Sequence, residues 1–319
     1  MAVLYTAASR IPVSRCVTPM VFDSGSPTVP PEAPPVGPEP PGGRHGRIQI
    51  SRRIPWQTLG GLLAGLVLTV VILMAIGVIE TGDAKAEHEE MLRRTASALE
   101  LAGVKLKPVR AEQLGTAAIQ ATFANEHLQG GHLEPSLLKQ VKSLGPVVLS
   151  LAQTDIADEG FRIVAGQPGV LGLSLLGTGI SDRGLAAIVA ASDLRLLSLE
   201  RTAVSDQGLR HIGGLTELRQ LYLTGTRVSG EGLAPLLKLT RLEAVKLGGT
   251  EVGDGGLAVL ARLPRLKHLA LDRTRITDAG VPVLAGIESL EFLDLHGTWV
   301  SVDGVRKLRN ALPNCRIEH

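Results

Sequence analysis

From residue 147 onward the apolar positions return at a fixed step. Leucine stands at 151, 175, 199, 223, 247, 271 and 295, and two residues before each comes Leu149, Leu173, Leu197, Leu221, Val245, Leu269 and Leu293. The step is 24 residues through seven copies, with no slip. Three residues after each leucine comes threonine (Thr154, Thr178, Thr202, Thr226, Thr250, Thr274, Thr298), two later Ile or Val, and four later again glycine, from Gly160 to Gly304. The L-x-L alternation predicts a short strand with its leucines on one side. An aspartate four after the threonine in five copies (Asp158, Asp182, Asp206, Asp254, Asp278) predicts the start of a helical turn, with the carboxylate favouring that turn's free amides and dipole. No single unit buries its apolar face, so the copies must stack and pair their strands into a parallel sheet.

The threonine hydroxyls are expected to satisfy backbone groups in the turn and to link each coil to the next. Gly230 in the fourth copy and Val302 in the seventh replace the aspartate, which predicts looser turns there. After the last copy, ALPNCRIEH puts Ile317 on the next strand position and assigns Cys315 to a C-terminal cap as a small apolar group.

Upstream the pattern changes three times. Residues 1–55 hold 11 of the 19 prolines and no apolar run long enough to pack, which predicts a disordered tail; PPEAPPVGPEPP within it reads as a polyproline spacer, and Met20 is an alternative start. Residues 56–79 run for 24 positions without a charge, enough for a helix to cross the roughly 30 Å of bilayer hydrocarbon. Arg44, Arg47, Arg52 and Arg53 precede this span and Glu80, Asp83, Glu87, Glu89 and Glu90 follow it, so the tail is expected in the cytoplasm and the repeats outside the cell membrane, on a single-pass anchor. The competing reading is a signal peptide cleaved near Ala84-Lys85-Ala86, against which the apolar run is long and late. Residues 80–146 are expected to form a juxtamembrane helical cap: a helix over 84–102 stopped at Gly103, a strand over 104–109, and helices over 111–127 and 135–144.

A net charge of +2 with 3% aromatic residues offers neither the basic field nor the stacking rings of a nucleic-acid binder. Two cysteines, Cys16 and Cys315, exclude a disulfide scaffold and a cysteine-based zinc ribbon. His88-Glu89-Glu90 lacks the second histidine of a metalloprotease helix, and GTGISDRG at 177–184 lacks the Lys-Ser or Lys-Thr of a phosphate loop. Ser150, Ser174 and Ser198 have no histidine on neighbouring strand positions. No catalytic group, cofactor or metal is therefore expected, and the chain is not read as an enzyme.

The unit LxxLxLxxTxVSDxGLxxL resembles the leucine-rich repeat family, in the bacterial subtype with threonine where asparagine or cysteine is usual. The resemblance covers 147–319 and implies an α/β fold, a horseshoe solenoid with its parallel sheet on the concave face, and a membrane-anchored module that binds another protein. Along that face the free positions lie six, four and two residues before each threonine. They are bland early (Val148, Ser150, Ala152, Gly172, Ser174) and chemically rich later, which makes Glu200, Tyr222, Lys246, His268, Asp272, Phe292, Asp294 and His296, extended by Trp299, the candidate partner site. His268, Asp272, Asp294 and His296 could approach one another on adjacent strands, but they form no closed ligand set. The alternatives are an envelope scaffold without a specific ligand, and a small-molecule, glycan or ion site in the same patch. Partner identity and oligomeric state are open.

Overall fold

The computed structural model describes residues 82–109 and 114–319, with side chains from Ala86 onward. The expected tail and membrane span lie outside the described residues, among which no helix is long and apolar enough to cross a membrane. The chain divides into two compact units, one containing Met91–His319 and the other Val21–Glu90. The first is described below; of the second, only the opening of one helix is described.

That helix, α1 (Gly82–Leu101), ends where expected, because Gly103 takes a φ of +88°, the left-handed turn that a side chain resists. Strand β1 (Lys105–Val109) follows and pairs antiparallel with β2 (Ala118–Thr122). Of the helix expected over 111–127, residues 118–122 and 125–127 are not α-helical. From residue 114 the stretch holds β2 and a short 3-10 turn, Asn125–His127. β2 also pairs in parallel with the first repeat strand, so the repeat sheet captured a segment whose apolar spacing alone suggested a helix. A small hairpin, β3 (Leu128–Gln129) and β4 (His132–Leu133), leads to α2 (Pro135–Ser143), whose proline occupies the first helical turn.

Eight further strands then run in sequence order: β5 (Val147–Ser150), β6 (Val170–Ser174), β7 (Leu196–Ser198), β8 (Gln220–Tyr222), β9 (Ala244–Lys246), β10 (His268–Ala270), β11 (Phe292–Asp294) and β12 (Arg316–Glu318). Together with β1 and β2 they make one ten-stranded sheet, parallel throughout except at the β1–β2 edge. From β6 to β12 the register steps by 24 residues at every strand, Gly172 to Leu196 to Gln220 and onward to Arg316. The architecture is that of a leucine-rich repeat solenoid. Every leucine of the two columns, and Val245 with them, is fully buried in one continuous core. On the far side of that core a second ladder of isolated bridges (Ala157 with Gly179, Ser205 with Arg227, Ser229 with Glu251, Gly253 with Arg275, Thr277 with Trp299) ties the helical returns together.

The threonines close their own turns. Each hydroxyl donates to the carbonyl of the leucine three residues earlier, at 2.5–2.7 Å in all seven copies, so the expected link to the next coil is not made. That link belongs to the aspartates. Ser181 donates its N–H to Asp158 Oδ1 (2.8 Å) and its hydroxyl to Oδ2 (2.6 Å). Ser205 does the same to Asp182, Ser229 to Asp206 and Thr277 to Asp254, and the Ser301 N–H donates to Asp278 at 2.8 Å. Where a serine or threonine stands one position earlier it caps the turn itself, as where the Ser181 hydroxyl accepts from the Arg183 N–H (3.2 Å). The glycine column follows from this staple, because a Cβ at Gly232 would lie 2.0 Å from Asp206 Oδ1 and one at Gly208 2.4 Å from Asp182 Oδ1.

One junction breaks the series. Gly230 stands at the aspartate position of the fourth copy and Gly253 at the serine position of the fifth, so both halves of the staple are absent together. The coils close up backbone to backbone, with a Cβ at Gly230 placed 2.9 Å from Gly256 N, and an open depression of about 350 Å³ remains beside Ser229, Glu231 and these glycines. The return here is a 3-10 helix, Glu231–Lys238, containing Pro235, a tighter winding where a looser turn was expected. The seventh return is not loose: Val302–Ala311 is a ten-residue α-helix whose Ser301 hydroxyl accepts from the Gly304 N–H (3.1 Å).

Candidate functional site

The sheet face turned away from the leucine core divides in two. Across β5 to β8 its residues, Val148, Ser150, Gly172, Ser174, Leu196, Ser198, Gln220 and Tyr222, are all buried. From Lys246 onward they are half-exposed or exposed. A segment that the repeat pattern does not announce, residues 114–115 before β2, lies against the arginines at the start of β7 and β8. There the Leu114 carbonyl accepts a hydrogen bond from Arg195 Nη1 (2.6 Å), and Gly115 approaches so closely that a Cβ would lie 2.8 Å from Arg219 Nη2. Leu114 itself is fully buried.

Tyr222 is therefore no surface anchor. It is 0% exposed, its hydroxyl donates to Gln220 Oε1 (2.7 Å), and Lys246 Nζ sits 4.5 Å from its ring centroid. The serines expected on a bland surface are buried as well: Ser198 donates to Glu200 Oε2 (3.2 Å), and Ser174 Oγ has no partner among the described residues. Glu200 is half-exposed and belongs with this covered half.

The remaining candidates form two groups. Lys246, His268 and Phe292 line a shallow depression over β9 to β11, with the His268 and Phe292 rings 6.4 Å apart and tilted by 40°. Burial holds His268 below the ordinary imidazole pKa, only partly countered by Glu291 and Glu243. Farther along, Asp294 Oδ1 meets His296 Nδ1 at 2.7 Å, and Glu318 stands opposite Asp294 in register. Asp272 is not drawn into either group; it pairs with Arg273 at 2.8 Å and lies over Gly248. Trp299 is 72% exposed, but its backbone belongs to the second bridge ladder, paired with Thr277, so it stands outside the sheet register of the patch.

Two features were missed. Glu318 continues the column of Ser150 through Asp294, and it was findable once Ile317 had been placed on a strand. The other is the column seven before each threonine, where Arg219 pairs with Glu243 (3.4 Å) and Lys267 with Glu291 (2.7 Å), the latter raising the Lys267 pKa through its hydrogen bond. Its alternating sign, Arg219, Glu243, Lys267, Glu291, was the signal. In the cap, burial pushes the Cys315 thiol up to about 11, consistent with a small apolar group.

No family model and no curated protein matches this chain. Among solved structures, an internalin of Listeria monocytogenes is similar over 59% of this chain and 57% of its own length, at 19% identity and a TM-score of 0.44. Internalin C2 of the same organism is similar over 57% of this chain and 72% of its own, at 22% identity and a TM-score of 0.43. The match thus spans little more than half the length of the first.

Proposed function

We propose that the chain is a membrane-anchored binding module of the bacterial 24-residue leucine-rich type, which docks a partner protein on the open half of its sheet face and performs no catalysis. The observation behind this reading is the division of that face. Its covered half, β5 to β8, is closed to any partner, whereas Lys246, His268, Phe292, Asp294 and His296 stand on a rigid scaffold with side chains still accessible. A half-exposed aromatic ring flanked by charged groups is the arrangement that concentrates binding energy when a partner excludes water. The basic residues before position 56 and the acidic ones after 79 support an anchor at 56–79, with residues 1–55 inside and the repeats outside. The proposed domain plan is accordingly tail, span, cap over 80–146 and repeats over 147–319.

The test is capture from envelope extract by the full-length chain, compared with Phe292→Ala. The variant should lose retained proteins by at least about fivefold, the equivalent of roughly 1 kcal/mol. Identical retention by the two folded proteins would refute the assigned face.

A further inference from the structure

We propose that Asp294, His296 and Glu318 form a binding site for a divalent transition-metal cation of the zinc class. The three lie at one end of the sheet, outside the Lys246–His268–Phe292 depression. Asp294 and His296 are two residues apart, and Glu318 sits on β12 directly opposite Asp294. One ligand atom from each, an imidazole nitrogen and two carboxylate oxygens, falls within 4.8 Å of the others, and among the described residues no other trio of histidine, cysteine or acidic side chains comes so close.

The donor set selects the ion. One nitrogen and two oxygens suit zinc and its neighbours, whereas calcium asks for six to eight oxygens and magnesium for an octahedron of them. Zinc bonds of about 2.0–2.1 Å put tetrahedral ligands roughly 3.4 Å apart. The Asp294–His296 pair is already at 2.7 Å, and the side chains of His296 (57% exposed) and Glu318 (31% exposed) have room to swing inward. Electrostatics points the same way. Two carboxylates directly opposite each other on neighbouring strands repel. Arg316, on the same strand as Glu318, pairs with one of its oxygens, Oε1, while Asp294 pairs with His296. A divalent ion between the carboxylates removes the repulsion and uses the imidazole as its third ligand. The fourth position would remain open towards solvent, as in sites that exchange a water or accept a ligand from outside.

The experiment is calorimetric titration of zinc chloride into the purified full-length chain after chelator treatment. One equivalent should bind with micromolar or tighter affinity and raise the melting temperature. His296→Ala and Glu318→Gln should each weaken binding at least tenfold and abolish the melting shift, whereas His268→Ala should leave both unchanged. The two substituted side chains are partly exposed, so the variants should melt like the parent without metal. Absence of saturable zinc uptake would overturn the site. So would uptake that persists unchanged in His296→Ala, and calcium or magnesium binding as tightly as zinc would overturn the assigned chemistry.

Discussion

At Gly232 a methyl group would have to share space with the Asp206 carboxylate, which is fixed by both the N–H and the hydroxyl of Ser229. Gly232→Ala must break that staple and should cost about 2–3 kcal/mol, the scale of hydrogen bonds to a charged group. Gly255 lies in the helical return Asp254–Leu260 and meets nothing where its Cβ would be, so Gly255→Ala should be neutral or gain up to about 1 kcal/mol. Thermal melts of the two variants check the contrast. A second column behaves differently. The residue before every threonine has positive φ, and it is glycine in four copies but Gln153, Arg201 and Arg273 in three. Arg201→Gly should therefore raise stability by up to about 1 kcal/mol, because it relieves a left-handed arginine at φ 53°.

Single elements behave as links in a chain, and the sequence columns show which residue types recur but not which coil each one faces. That is why the leucine, threonine and glycine columns were legible in the sequence, while the aspartates were assigned to their own turns although they bond the next coil. The missing staple between the fourth and fifth copies shows what this means for substitution. Gly230→Asp would restore the aspartate of the repeat, yet its Cβ would press on the Gly256 backbone and Gly253 offers no hydroxyl, so the variant should lose roughly 1–3 kcal/mol in a denaturation series. Acid should act at the last staple. Ser301 holds the Asp278 carboxyl below its ordinary pKa, first through its hydroxyl and then through its N–H. A lowered folded-state pKa means that the contribution is fully present above the ordinary carboxylate value of 3.8 and is lost as pH falls through the lower one. Asp278→Asn should therefore lower the melting temperature at neutral pH and flatten its decline below about pH 4.

For the whole repeat unit, the decisive feature is which half of the sheet is open. Leu223 and Tyr222 point to opposite faces and both are fully buried, so Leu223→Ala should cost about 2–5 kcal/mol and Tyr222→Ala about 3–5 kcal/mol, whereas Phe292→Ala, half-exposed, should cost under about 1.5 kcal/mol. The burial of Tyr222 was not legible in the repeat, because the period sets which face a side chain takes and carries nothing about what lies over that face. The central claim is that the open half of the face contacts another protein. Its most direct test places a photo-crosslinking residue at position 292 in the full-length chain, expressed in its own host, with position 258 on an exposed helical return as the control. A discrete adduct with a second protein from 292 and none from 258 is the expected result; no adduct at 292, or the same adducts from both positions, would contradict the account.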